Sequence, residues 1–321
     1  MNIEDEQELE EFAKDKEIEV LDKFKFLITQ NLFNIRNGSI VQIRNWLNNF
    51  INTREKLVAL FILENIVYRN LDMLEKAITR VLIKEVKNVY ENIYPDSYDI
   101  FTWLQLLKNS KNQLNIKFIG VDKGAKSQSS AIITRRLTNI VNQSYIAEND
   151  KHIESALKKN SLVIFIDDFL GSGEQFETFL HEKIYTLDSH ADTSSHFIYT
   201  PLIAMSNGID RINTNHREIE IIPTEKIVLD QSLFNQGALD SFFKRIQIPS
   251  AEMLDILISI STKFSINKKS WLGRDDAMLS VIFEWGCPNQ TLKLIHHEQN
   301  TSAISAINGV LPYYPLAPRR A

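Results

Sequence analysis

The sequence predicts an α/β protein, a parallel β-sheet core preceded by an all-helical N-terminal region. Three observations carry this. Residues 1 to about 110 place apolar side chains at helical spacing, with few runs that read as strand. From about residue 112 short β-rich runs alternate with helical segments, the order that lays parallel strands side by side with helices on their faces. Leu162-Val-Ile-Phe-Ile166 is an unbroken apolar run, as expected of a central parallel strand buried on both faces.

The elements follow in order. Glu4 to Glu19 is strongly charged and reads as a solvated helix or a frayed tail. Asn52 with Glu55, and Asp72 with Glu75, have the spacing of capping boxes and mark helix starts. Leu57, Phe61, Met73, Leu74, Ala77, Ile78 and Val81 give the helical apolar faces, and Pro95 ends the run. A short helix with Phe101, Trp103, Leu104 and Leu107 follows. Asn115 to Gly120, Leu162 to Ile166, His196 to Ala204 and Glu218 to Ile222 are the strand candidates. Helices are expected through Ile132 to Val141, Phe176 to Leu187 and Met253 to Ile260, with Asn207-Gly208 as a turn. Three consecutive domains are expected: 1–110, helical; 111–260, the α/β core; and 261–321, a C-terminal extension that forms a hood over the core's pocket.

Composition narrows the function. Of 321 residues 44% are hydrophobic and 24% charged, with a formal net charge of −5, and no strongly basic block stands out. That argues against a dedicated nucleic-acid binder, which needs a local excess of Lys and Arg to displace phosphate counterions. Cys287 is the one cysteine, so neither an intrachain disulfide nor a cysteine-based zinc site is open to this chain. The acidic start MNIEDEQELEEF lacks the pattern of a secretion signal, and no apolar stretch is long enough to span a bilayer. A cytoplasmic protein without membrane contact is expected.

The chemistry concentrates in Val163-Ile-Phe-Ile-Asp-Asp-Phe-Leu-Gly-Ser-Gly-Glu-Gln175. Buried residues run into two carboxylates, Asp167 and Asp168, and then into a small-residue turn that opens a helix. Ligands of open α/β sheets sit at the carboxyl ends of the strands. Gly171, Ser172 and Gly173 leave backbone N–H groups free at a helix N-terminus, which suits a phosphate. The two acids just upstream are placed to accept hydrogen bonds from the hydroxyls of a ribose whose 5′-phosphate occupies the turn.

This stretch resembles the phosphoribosyl-pyrophosphate (PRPP) motif of type I phosphoribosyltransferases: four hydrophobics, two acids, two apolars and a small-residue phosphate loop. More of the chain is similar to the phosphoribosyltransferase-like proteins of bacterial conflict systems, the PRTase-CE group. The likeness includes Trp46 and Phe50, Gly273-Arg-Asp-Asp-Ala277, Pro288-Asn-Gln-Thr-Leu292 and the closing Leu316 to Arg320. It implies a type I phosphoribosyltransferase-like core that binds PRPP or a related ligand with Mg²⁺, and transfer of ribosyl phosphate as a glycosyltransferase step. Asp167 and Asp168 would be the catalytic pair and the Mg²⁺ ligands. Gly171, Ser172, Gly173, Glu174 and Gln175 would cradle the 5′-phosphate, and Lys123, Gly124, Lys126, Ser127, Ser129 and Ser130 the pyrophosphate. Glu174 and Gln175 depart from the Thr or Ser and second Gly of the familiar enzymes. A carboxylate aimed at phosphate repels it, unless Glu174 turns to solvent as a first-turn helix acid. Kinship further implies an anti-phage module of the retron kind, with a reverse transcriptase or another defence protein and its nucleic acid as partners.

Other readings of the residues stay open. The cradle in a chain without turnover makes a ligand-sensing or interaction subunit. Gly120-Val-Asp-Lys-Gly-Ala-Lys-Ser127 is a near miss to the phosphate loop of nucleoside triphosphatases, with Ala125 where that loop needs its second glycine. Asp-Asp before Gly-Ser-Gly is also ordinary turn chemistry. Asp188, His190, Asp192 and His196 read as a solvated connection rather than a metal site, and His296-His297 as surface. Arg274, Asp275 and Asp276 read as an exposed ion-pair cluster, and Trp285, Tyr313 and Tyr314 as packing aromatics.

Overall fold

Apolar surface removed from water drives this chain into two compact units, seen in a computed structural model. It describes residues 6–35, 39–111, 114–121, 128–157, 161–188, 195–228, 233, 239, 242, 250–267, 270–298 and 313–317. One unit joins both chain ends, Met1–Asn70 with Asp230–Ala321; the other is Leu71–Leu229. The division differs from three consecutive domains: helices after residue 70 cluster with the sheet, and the last segment clusters with the first. None of the described helices is long and apolar enough to cross a membrane.

In the unit of both ends, α1 (Glu6–Thr29) buries Leu9, Ala13, Val20, Leu21 and Phe24, so the charged start is one face of a packed helix. Helix α2 (Ile40–Leu47) buries Ile43, Trp46 and Leu47. In α3 (Thr53–Glu64) the Asn52 side chain accepts from Glu55 N–H at 2.8 Å, and Glu55 Oε2 accepts from Ile51 N–H at 3.2 Å. Asn52 caps the helix at the expected position, and Glu55 reaches back to the residue before the cap. Leu57 through Leu63 are all buried, which makes α3 the centre of that core.

The chain ends are tied by side chains distant in sequence. Trp46 Nε1 donates to the Leu294 carbonyl at 2.9 Å, and the Tyr313 hydroxyl donates to the same oxygen. Strand β1 (Val67–Arg69) pairs in parallel with Val281–Phe283, two short strands that periodicity did not reveal. Arg274 N–H bonds the Asn289 carbonyl at 2.8 Å and joins the two C-terminal motif segments, while Asp275 and Asp276 are exposed. Trp285 stacks on Phe283 with ring centroids 4.8 Å apart, and Tyr313 is buried; Tyr314 is exposed. His296, expected at the surface, is buried, because its helix turns into the core between Leu294 and Leu316.

The second unit opens with α4 (Leu71–Val81), a π-helical segment Leu82–Val86, α5 (Lys87–Ile93) and α6 (Ile100–Lys108). Asp72 sits inside the first turn of α4 rather than at its cap. Asp99 caps α6 by accepting from Phe101 and Thr102 N–H at 2.9 and 3.0 Å. Trp103 and Leu107 face inward, and Trp103 Nε1 bonds the Leu82 carbonyl at 2.9 Å. These helices belong with the sheet because their apolar face, Leu74, Ile78, Val81 and Leu82, meets Ile166 and Leu202 around a narrow cavity.

The sheet is parallel throughout: β2 (Ile116–Gly120), β3 (Leu162–Leu170), β4 (His196–Met205) and β5 (Ile219–Ile221) in that order. Strand β6 (Glu225–Ile227), not foreseen, pairs with the later half of β4 after β5 has ended. Between the strands run α7 (Gln128–Leu137), α8 (Asp150–Leu157), and α9 (Glu174–Phe179), which continues through π-helical Leu180–Tyr185 into α10 (Thr186–Asp188). Helix α11 (Ser206–Asn215) follows β4 directly, and it takes up Asn207-Gly208, expected as a turn, in its first turn. One face of the sheet carries an aromatic core of Phe165, Phe176, Phe179 and Tyr199.

Replacing Phe165, fully buried, by Ala is expected to cost about 3–5 kcal/mol in denaturant unfolding. Phe101→Ser, at a side chain 80% exposed, should change stability by no more than about 0.5 kcal/mol in the same measurement.

Candidate functional site

The site begins where two strands end unequally. Strand β2 stops at the Gly120–Ile166 pair, and its last bond is Val121 N–H to the Ile166 carbonyl at 3.0 Å. Strand β4 runs on beside β3, with Asp167 opposite Pro201, Phe169 opposite Ile203 and Leu170 opposite Ala204. The acid pair therefore lies inside a strand that has lost one neighbour and kept the other, at the carboxyl edge where α/β sheets bind ligands. The sequence reading ended the strand at Ile166; the continuing β4 ladder carries it four residues further.

The two acids differ. Asp167 is only 3% exposed, whereas Asp168 is partly exposed. Asp167 Oδ2 accepts from the Tyr199 hydroxyl at 3.0 Å, and Oδ1 accepts from Asp168 N–H at 2.8 Å. Burial, then the charge of Asp168 and a hydrogen bond with its carboxyl, drive the Asp167 pKa well above the ordinary range, against the opposing effect of those two donors. The same burial and the adjacent acid push the Tyr199 hydroxyl up as well. Tyr199 stacks on Phe176 in the first turn of α9, with ring centroids 3.8 Å apart and planes 11° apart. Asp167 is thus a buried acid with a raised pKa that links two strands and a helix through Tyr199, and Asp168 is the partly exposed member of the pair.

The small-residue turn follows at once. Gly173 precedes α9 with φ 85° and ψ −19°, a left-handed conformation that favours glycine, and no side chain caps the helix. Glu177 N–H bonds the Gly173 carbonyl at 3.0 Å and starts the helical ladder. Glu174 is exposed on the first turn, where the helix dipole favours a carboxylate. Gln175 is partly exposed.

The turn is backed by α11. A Cβ on Gly208 would lie 2.0 Å from the Gly171 carbonyl oxygen, so backbone packs directly on backbone there. A Cβ on Gly173 would lie 3.2 Å from Ile212 Cδ1. Arg211 Nη2 reaches Glu177 Oε2 at 2.5 Å, and Asn215 Nδ2 donates to Glu177 Oε1 at 2.7 Å. Burial works against the Glu177 charge, yet these hydrogen bonds and the Arg211 charge hold its pKa below the ordinary range. Neither Glu177 nor Arg211 was singled out from the sequence, because they meet only where two helices cross.

Lys123, Gly124, Lys126 and Ser127 lie outside the described residues, as does the stretch on which the triphosphatase reading rests. Ser129 and Ser130 fall in the first turn of α7, and their side chains too are outside the description. His190 and Asp192 are outside the described residues, and His196 is exposed at the start of β4.

Mg²⁺ fits this donor set in one way. Among the described residues there is no group of three or more His, Cys, Asp or Glu side chains that could hold a metal ion. Asp167 is buried and accepts hydrogen bonds at both oxygens, so the partly exposed Asp168 is the better placed of the two to meet Mg²⁺. Mg²⁺ normally takes one or two carboxylates together with substrate phosphates and water.

The family model of PRTase-CE matches residues 43–319. The chain belongs to the PRTase-CE family. It is a phosphoribosyltransferase-like protein, and its parallel sheet is consistent with a PRTase-like core. No curated protein matches it. A solved structure, that of the AQ2163 protein from Aquifex aeolicus, is similar at 15% identity over 60% of this chain and 86% of that one. The TM-score of 0.30 is too low for that likeness to bear on the fold.

The Asp167 shift makes stability pH-dependent in this PRTase-CE protein. A carboxyl whose folded pKa is raised favours the fold below its unfolded value, about 3.8, and that advantage is lost as pH rises towards the folded value. Asp167→Asn, which keeps an acceptor for Tyr199, should gain stability relative to wild type from pH 4.5 to pH 8 in urea titrations. A constant difference would contradict the assignment. Gly208→Ala should cost about 1–3 kcal/mol, because its methyl displaces the Gly171 carbonyl.

Proposed function

We propose that this PRTase-CE protein binds PRPP or a related phosphoribosyl ligand. The 5′-phosphate rests on the main-chain amides of Gly171, Ser172 and Gly173, and the ribose hydroxyls face Asp168. The observation that supports this most is the uncapped, left-handed turn placed directly after a strand-borne carboxylate at the open sheet edge. A phosphate suits the first and a sugar hydroxyl the second. Bound with the diphosphate, Mg²⁺ would neutralise part of its charge, with Asp168 as its protein ligand and the 123–130 segment beside it.

The chemistry proposed is transfer of ribosyl phosphate. The bond from ribose C1 to the pyrophosphate oxygen breaks, pyrophosphate leaves with the electron pair, and an acceptor nucleophile bonds to C1. The protein's part is positioning and electrostatics: the turn holds the phosphate, and the Asp168 carboxylate offsets positive charge on the sugar ring. By family kinship this step would serve an anti-phage module with a reverse transcriptase or similar partner. A ligand-sensing subunit is the second reading, favoured by one observation. Asp167 is buried and bonded to the Tyr199 hydroxyl and Asp168 N–H, which leaves the partly exposed Asp168 to face the sugar.

The test is the melting temperature of the whole chain against PRPP with Mg²⁺. Ligand at a hundred times its dissociation constant adds about 2.7 kcal/mol of stability. Wild type and Asp167→Asn are expected to shift, and Asp168→Asn to lose most of the shift. No shift in wild type, or an undiminished one in Asp168→Asn, refutes the assignment. Release of pyrophosphate from PRPP separates the transferase from the sensor.

A further inference from the structure

Arg211 carries a positive charge to a turn flanked by Asp168 and Glu174. Its stem passes the phosphate turn, since a Cβ on Gly173 would lie 3.4 Å from Arg211 Cδ. Its guanidinium is paired with Glu177, one helical turn beyond Gly173, and its side chain is 42% exposed, so it has room to move. Glu177 has other partners: Oε1 accepts from Asn215 Nδ2 at 2.7 Å, and His216 Nε2 is 3.7 Å away. Arg211 can leave this carboxylate without stranding it, which removes the usual penalty for breaking a partly buried pair.

A phosphate dianion at this turn approaches the carboxylates of Asp168 and Glu174, so a cation within a few ångströms decides whether it is attracted or repelled. A guanidinium is the side chain best shaped for the task, because its planar fork bonds two phosphate oxygens together. We propose that Arg211 is a phosphate-recognising residue of the phosphoribosyl site, held by Glu177 without ligand and transferred to the 5′-phosphate on binding. This deepens the phosphoribosyl reading above and rests on it. Glu177 then acts as a competitor for Arg211 and sets how tightly the phosphate is held.

The test measures affinity of the full chain for ribose 5-phosphate and for PRPP with Mg²⁺ by calorimetry. Arg211→Gln is expected to weaken both about tenfold or more. Arg211→Lys, which keeps the charge and loses the fork, should lose less. Glu177→Gln should tighten binding, because the competing charge is gone while Asn215 keeps an acceptor. A purely structural strut gives a different pattern, in which Arg211→Gln and Glu177→Gln weaken binding alike or leave it unchanged. Either result overturns the role of Arg211 while wild-type binding leaves the phosphoribosyl reading standing. Wild type that binds neither ligand refutes that reading itself, and the Arg211 assignment with it. Melting temperatures without ligand verify that each variant is folded, and Arg211→Lys carries the comparison if Arg211→Gln is not.

Discussion

The candidate site depends on one buried hydrogen bond, that from Tyr199 to Asp167. A carboxyl group taken out of water is costly when charged, and the fold meets that cost by raising its pKa and supplying two donors. The phenol that donates belongs to the neighbouring strand, and its ring lies flat on Phe176 in the helix beyond the turn. Strand, turn and helix are therefore joined through a single acid. The turn between them is short, and both of its ends are held.

The same arrangement divides labour between adjacent identical residues. Asp167 uses its oxygens on the protein, and Asp168 keeps a partly exposed carboxylate. Burial, with the charge of Asp168 beside it, works against ionisation of Asp167 and raises its pKa. The turn is then closed from behind by α11, whose Gly208 lets helix backbone rest on the Gly171 carbonyl. Close approach of this kind leaves little freedom for the turn to shift.

The unit that carries the site is inserted in a unit made of both chain ends. The helices after residue 70 belong to the inserted unit because their apolar stripe has sheet residues to cover, Ile166 and Leu202 among them. The closing residues belong with the first helices because Trp46, a large ring with one donor, needs a carbonyl, and Leu294 provides it.

The sequence by itself determined the fold class, the order of the four strands β2 to β5 along the chain and the location of the acid-pair turn. These depend on local pattern: an unbroken apolar run can only be a buried strand or helix segment, and glycines after acids can open a helix where alanines would not. The cap at Asn52 and Glu55 was legible for the same reason, since both partners lie within one turn. Tertiary structure alone decided which acid is buried, because Tyr199 and Phe176 reach Asp167 from other elements. It also decided the extension of β3 past Ile166, the short strands at Val67, Glu225 and Val281, the burial of His296, and the meeting of Arg211 with Glu177. Each of these needs a partner far away in the chain, and a three-residue strand or a lone arginine has no periodicity from which that partner can be read.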